Sequence, residues 1–349
     1  MVRKKNKIIN YGVFLNMVLI GLIIVLILSV FVFGGVYLLH LHAIENDVYI
    51  YSCGDGSFYN FCSFQRPYIC KSGILYEKAS VCKCPAGYKI VNDKCESALY
   101  DNSKEIALKY TLRFSKKTIS FKVYDGVYNY LSRIPQAINS TSGKIATRAD
   151  FELKKVNDEI QEQAILPLIV AIENLYPDSK EDQARVAISI VQNIPYDDRN
   201  INLSINLGNT KYPYQVLYDN NGSCEEKSEL LVLILKELNY STAIFYYPYE
   251  NHEAVGIGCP IKNSLNNSGY CFVETTAPSI ITDDKGYYVD GSTLKSNPII
   301  IPISDGISLP SNLYDFYDAK NFIRLRNKEK LGFFGKDIGA YIKAKYGIK

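Results

Sequence analysis

Cys224 is preceded by Gly222-Ser223 and followed by Glu225-Glu226-Lys227-Ser228, at the head of a strongly apolar run. His252, the only one of three histidines far from the N-terminus, comes next, and Glu274 follows in Phe272-Val273-Glu274-Thr275-Thr276. A thiol, an imidazole and a carboxylate in that order offer a nucleophile, a base and a group that orients the base. A free thiol is mostly protonated at neutral pH. A helix N-terminus and a neighbouring imidazolium both favour the thiolate, while Glu225, Glu226 and Glu229 oppose it. Such a thiolate attacks an amide carbonyl to give a thioester, with His252 protonating the departing amine and Glu274 fixing the imidazole tautomer. The backbone N–H of Cys224 is one expected oxyanion donor. With no Trp in the chain, Gln215, Tyr214 and Tyr212 are the candidates for a second. This chemistry needs neither metal nor cofactor, and none is expected.

Three cysteines lie in this half of the chain, Cys224, Cys259 and Cys271, and the odd total of nine leaves at least one thiol free. Cys259 and Cys271 flank the polar loop from Pro260 to Tyr270 and are natural partners, which leaves Cys224 unpaired. A regular hairpin with Cys259 facing Cys271 would put Glu274 opposite Gly256, four residues from His252, or about 13 Å along the strand. The disulfide and a His252–Glu274 contact fit together only if the strands slip or bulge, with Gly256 and Gly258 as places for a bulge. Each cysteine is an odd number of residues from the catalytic candidate on its own strand, so the pair should point away from it.

The elements that must position these groups read as follows. Glu105–Phe114 and Thr118–Val123 alternate apolar and polar residues as two strands with a turn at Ser115-Lys116-Lys117. Short helical spacing spans Val127–Pro135, Ser140-Thr141-Ser142-Gly143 is a loop, and Asp150–Leu175 and Lys180–Asn193 are helices, the latter stopped by Pro195. Cys224–Leu238 is apolar nearly all round, as a buried central helix should be. Thr242–Tyr247, Ala254–Ile257 and Tyr270–Thr275 are strand-like. A helix followed by antiparallel strands is an α+β plan.

Val13–Leu39 holds only Asn16 and Ser29 as clearly polar side chains. As a helix it spans roughly 40 Å, enough to cross a bilayer with tilt. A signal-peptide core is shorter and ends at small residues, whereas this run ends in Tyr37-Leu38-Leu39-His40. An uncleaved anchor is expected, its basic tail in the cytoplasm and everything after His42 outside. Arg3, Lys4, Lys5 and Lys7 carry four of the positive charges, so a net +3 leaves the rest of the chain at −1. That near-neutral body argues against a nucleic-acid partner. The basic end from Lys320 to Lys349 reads as a solvated helix face. Asn139, Asn202, Asn221, Asn239 and Asn266 stand in glycosylation sequons, Asn221 too near the thiol for a glycan.

Cys53, Cys62, Cys70, Cys82, Cys84 and Cys95 crowd into a segment rich in Gly, Pro, Asn and Asp. It is too small for its own core, so cross-links must substitute. Three disulfides of undetermined connectivity are expected. Zinc is the competitor, but it would favour Cys-x-x-Cys knuckles, and Cys82-Lys83-Cys84 has a single intervening residue. Cys82 through Cys95 resembles the closing half of an EGF-like unit, and the whole segment resembles membrane-proximal cysteine modules of archaeal surface proteins. Both imply a spacer or adhesion element.

The stretch from Ala184 to Pro278 resembles the transglutaminase-like superfamily in its archaeal and bacterial cysteine-peptidase-like branch. The pieces that carry the resemblance are Ile190-Val191-Gln192-Asn193-Ile194-Pro195-Tyr196-Asp197-Asp198, Tyr212-Pro213, Gly222 to Ser228, His252-Glu253-Ala254-Val255-Gly256-Ile257 and Phe272 to Thr276. The resemblance covers under a third of the chain. It implies a papain-like core with Cys224 as nucleophile on a helix N-terminus, and His252 and Glu274 as base and third member on adjacent strands. Ser223 stands where that branch usually has Asp, and Glu274 where many relatives have Asp.

The expected organisation is a basic tail (1–12), a transmembrane helix (13–39), a cysteine-rich module (46–97), a strand and helix part (104–178), a transglutaminase-like core (179–300) and a C-terminal extension (301–349). The expected function is membrane-anchored acyl transfer from an amide, hydrolytic rather than cross-linking because water is the default acceptor, on a protein or cell-wall peptide. The alternative is a binding or surface-adhesion protein that keeps the fold without turnover.

Overall fold

A computed structural model describes residues 11–47, 52–135, 137–138, 145–197, 210–286, 293–327 and 335–349. The loop expected at 140–143 and the sequons at Asn139 and Asn202 lie outside them. Helix α1, Tyr11–Asp47, carries an apolar stretch from Leu15 to Leu38 that is long enough to cross a membrane. Its large apolar side chains are exposed from Leu15 through Leu38.

The cysteine-rich segment is a mixture of turns and short elements. Strands β1 (Tyr68–Lys71) and β2 (Ile74–Glu77) form a hairpin, one turn of helix α2 (Ala79–Cys82) follows, and β3 (Tyr88–Val91) and β4 (Lys94–Ser97) form a second hairpin. Disulfides join Cys53 to Cys70, Cys62 to Cys82 and Cys84 to Cys95. Cys53, Cys70 and Cys82 are themselves buried, so the bridges supply much of what little core exists.

The second compact unit comprises residues 86–89 and 97–349. It opens with the hairpin of β5 (Ser103–Leu112) and β6 (Ser115–Tyr124). The turn is Arg113-Phe114, not Ser115-Lys116-Lys117, because Leu112 pairs directly with Ser115. Both turn residues have positive φ, +48° and +75°, a conformation that normally selects Gly or Asn. Contacts made from afar hold it: Arg113 pairs with Asp182 at 2.8 Å, and the Phe114 ring meets Tyr341 edge-on. Helix α3 (Asp125–Leu131) is shorter than its sequence pattern.

The single helix expected over Asp150–Leu175 is two, α4 (Arg148–Val156) and α5 (Glu159–Leu175). Asn157 and Asp158 divide them, and the Asp158 carboxylate caps α5 by accepting from Gln161 N at 3.0 Å. Helices α6 (Lys180–Asn193), α7 (Pro213–Asp219) and α8 (Cys224–Glu237) follow. Residues Leu230 to Leu235 of α8 are all fully buried, each worth about 1.5–3 kcal/mol in transfer from water. The helix is apolar all round because α4 to α7 and a sheet pack against it from different sides.

That sheet is antiparallel, in the order β10-β7-β8-β9, from β7 (Thr242–Tyr247), β8 (His252–Gly258), β9 (Tyr270–Val273) and β10 (Ile299–Ser304). β10 was not expected, and a core boundary at 300 falls inside it. Helices α9 (Tyr314–Arg326) and α10 (Gly335–Tyr346) complete the unit. Their basic groups are partly engaged: Lys345 pairs with Asp318 at 2.7 Å, and Arg326 grips Asp283.

Candidate functional site

Ser223 caps α8, its Oγ accepting from Glu226 N at 3.4 Å while Glu226 Oε2 accepts from Ser223 N at 3.0 Å. This reciprocal box is what Ser can do in place of Asp, and it leaves half-buried Cys224 as the first residue of the helix. The approach to the thiol is fixed as well. Gly222 N donates to Pro195 O at 3.3 Å, and Asp197 N donates to Gly222 O at 3.0 Å. A Cβ on Gly222 would meet Val216 Cγ1 at 3.0 Å, so the residue before the cap must stay small.

His252 opens β8 and Glu274 lies one residue past β9. His252 Nε2 and Glu274 Oε2 are 3.0 Å apart, both side chains buried. The other carboxylate oxygen accepts from Thr275 N at 3.0 Å, Thr276 N at 2.8 Å and Thr276 Oγ1 at 2.6 Å. Burial pushes the Glu274 carboxyl up, but His252 and the Thr276 donors outweigh it and hold it below its ordinary range. Burial likewise disfavours a charged His252. The Glu274 carboxylate and a hydrogen bond with Cys224 overcome that and carry its pKa up to about 10. His252 at the start of β8 thus meets Glu274 just beyond β9, with Cys224 at the head of α8 as its other partner. With Nε2 taken by Glu274, Nδ1 is the ring nitrogen left for the thiol.

The register question has a simple answer. Val255 pairs with Val273 and Ile257 with Cys271, without a bulge at Gly256 or Gly258. Cys259 bonds Cys271 diagonally, its own amide donating to Gly269 O at 2.9 Å. The strands have slipped by two residues relative to a hairpin with the cysteines opposed. Gly256 serves instead to admit the Phe245 ring, which a Cβ there would meet at 2.9 Å. Cys259 and Cys271 join the main core with Val255 and Val273, whereas Ala254 and Phe272 belong to the cluster on the other face.

Gln215 and Tyr214, two of the three residues expected as second oxyanion donors, have hydrogen-bond partners in the surrounding packing. Gln215 Nε2 donates to Ser132 Oγ at 2.8 Å and its Oε1 accepts from Tyr212 N at 2.9 Å. The Tyr214 hydroxyl accepts from Tyr124 N at 2.7 Å. Tyr212 is buried, and the charges that reach it are those of Asp158, Lys155 and Glu229. Their composition suited the role, but α7 turns them into the packing around β6, α3 and α5.

Several participants escaped sequence reasoning. Gln192 on α6 donates to Glu274 O at 2.9 Å and to Ser279 O at 3.2 Å, pinning the chain that carries the carboxylate. Lys227 is fully buried one turn along α8 from Cys224. Arg148, at the start of α4, reaches Glu253 through Nε at 2.7 Å and Glu225 at 3.3 Å, the residues that follow His252 and Cys224. It also contacts Glu152 at 3.3 Å and stacks 3.9 Å over the Tyr246 ring. Lys155 pairs with Glu229 at 2.8 Å. Oxygens of Glu152, Glu225 and Glu229 lie within 4.8 Å of one another, a spacing open to a cation, but Arg148 and Lys155 already bridge these carboxylates. Burial drives Glu229 and Glu253 well above the ordinary carboxyl range, and Glu152 upward. Four carboxyl groups thus face two cations. No residue of this network carries a sequence signal beyond charge.

A cavity of about 450 Å³ adjoins Glu274 on the side of α9 and α10, with Pro278, Phe322, Arg326 and Lys343 in its wall.

No family model matches the chain. No curated protein matches it either. Among solved structures, the chain is similar to a crystal structure of a candidate protease from Parabacteroides distasonis, at 11% identity and a TM-score of 0.28. The likeness covers 59% of this chain and 40% of that one, so the chain spans well under half of its structural neighbour.

Proposed function

We propose that the chain is a thiol acyl-transfer enzyme of the transglutaminase-like type, held at the outer face of a membrane by α1. The observation that carries this reading is the meeting of His252 Nε2 with Glu274 Oε2 at 3.0 Å beside a free cysteine at a helix N-terminus. The Cys224 sulfur, as thiolate against the His252 imidazolium, adds to an amide carbonyl carbon. The oxyanion gains the Cys224 backbone N–H as a donor. His252 passes its proton to the nitrogen, the C–N bond breaks, and a thioester remains. Water then gives its proton to His252, adds to the thioester carbonyl, and expels the sulfur. Glu274 holds the imidazole so that one nitrogen faces the sulfur throughout. Four disulfides fit an oxidising space outside the cell, and a peptide or protein is the substrate class.

The test is full-length protein in detergent, treated with iodoacetamide at neutral pH under non-reducing conditions. Cys224 is expected to alkylate faster than glutathione, and H252A to slow it by at least tenfold. On a peptide library read by mass spectrometry, general acid–base loss in H252A should cut turnover about 10²–10⁴-fold. Alkylation at the glutathione rate, unchanged in H252A, overturns the reading.

A further inference from the structure

Lys227 has no exposed surface, and its ammonium donates to Ile194 O at 2.7 Å and Thr276 O at 3.2 Å. Ile194 closes α6, and Thr276 is the residue whose amide and hydroxyl hold Glu274. One side chain on α8 therefore ties the helix that presents Cys224 to the loop that presents Glu274. A methionine of similar length would fill the same space without the cost of burying a charge, which is several kcal/mol before compensation. The compensation lies in the site. Burial pulls the Lys227 pKa down to about 7 even though the charges of Glu274, beyond β9, and Cys224, on its own helix, favour the ammonium. Its remaining close partners are the two neutral carbonyls from α6 and the 276 loop.

The charge count gives this lysine a role. The reacting form of the site holds a thiolate, a carboxylate and an imidazolium, with His252 and Glu274 exposed by only 9% and 5%. That is one negative charge in excess, in a place where water screens little. A second cation brings the sum to zero.

We infer that Lys227 is a positioning residue for Cys224: its buried ammonium is the second positive charge that lets thiolate and carboxylate stand together, and its two hydrogen bonds fix the Glu274 loop against α8. The inference rests on the reading of Cys224 as a nucleophile. Both halves make different demands on substitutions. K227M removes charge and hydrogen bonds, whereas K227Q removes the charge but keeps N–H donors for a carbonyl, on a side chain one bond shorter.

The experiment measures initial rates of Cys224 alkylation by iodoacetamide from pH 5.5 to 9 in wild type, K227M, K227Q and H252A, each full length and checked for a cooperative thermal transition. K227Q is expected to alkylate about tenfold more slowly than wild type at pH 6, with the gap closing toward pH 9, and K227M to do the same if it folds. A K227Q profile superimposed on wild type overturns the charge role, whatever K227M does. If H252A also leaves the wild-type profile unchanged, the nucleophile reading itself has failed; if H252A slows alkylation and K227Q does not, only the inference about Lys227 has.

Discussion

His252 and Glu274 meet at 3.0 Å although they are not partners across the sheet. The β8–β9 pairing sets Val273 opposite Val255, which places Glu274 beside Ala254, two residues from His252. Two residues along a strand is about 6.6 Å, a gap that an imidazole and a glutamate can span between them. An aspartate is one methylene shorter, and the longer acid suits this register. The diagonal Cys259–Cys271 bond is the other consequence of the same slip.

The His252 pairing makes stability depend on pH. Its folded pKa, near 10, is above the ordinary 6.5. Its contribution is therefore fully present below about pH 6.5 and is lost as pH rises through 10. The thermal midpoint of wild type should fall between pH 7 and 10.5, by an amount equivalent to a few kcal/mol at most. H252Q should flatten that part of the curve. An equal slope in H252Q would show that the pairing contributes nothing.

Arg148 joins the neighbours of the two reacting residues, Glu225 and Glu253. Its removal in R148M strands buried carboxylates and should cost about 3–5 kcal/mol in denaturant unfolding. Loss of less than 1 kcal/mol would mean that protons replace the guanidinium freely.

Glu253 has the opposite sign to a paired surface acid. Burial raises its folded pKa above the unfolded value, so its contribution is present below about pH 4.3 and lost as pH rises through the folded value. E253Q mimics the protonated form and should retain at pH 8 more of its pH 5 stability than wild type does. The comparison is a pair of urea titrations at each pH.

The Cys259–Cys271 bridge closes a loop with a sequence separation of 12. Its removal in C259S/C271S should cost about 3 kcal/mol by chain entropy. Because the bridge faces the main core and not His252, alkylation of Cys224 at neutral pH should stay within twofold of wild type while the thermal midpoint drops.

Gly256 has no room for a methyl group: Phe245 ring atoms would stand 2.9 Å from its Cβ and Tyr270 Cβ 3.0 Å. G256A should destabilise by about 1–3 kcal/mol, measured by chemical unfolding. A neutral result would mean that the Phe245 ring swings aside at no cost.

The sequence by itself determined the apolar first helix, the cross-linked segment behind it, the buried helix begun by Cys224 and the strand-like runs next to His252 and around Glu274. Each is written in local terms: run length, periodicity, cysteine density. It also singled out Cys224 as the unpaired thiol, from the odd count together with the pairing of Cys259 and Cys271 across a short loop. The turn at Arg113-Phe114 and the break at Asn157-Asp158 were misread because their conformations are held by Asp182, Tyr341 and a side-chain cap rather than by turn composition. Strand β10 and the partners of Gln215, Tyr214 and Tyr212 depended on where remote segments pack. Only the tertiary structure decided the two-residue register of β8 on β9, and only it buried Lys227 against Ile194 and Thr276 and placed Arg148 among the carboxylates. A charge on a helix face reads the same in sequence whether it meets water or a buried partner; burial, which sets its energy, is a property of the assembled chain.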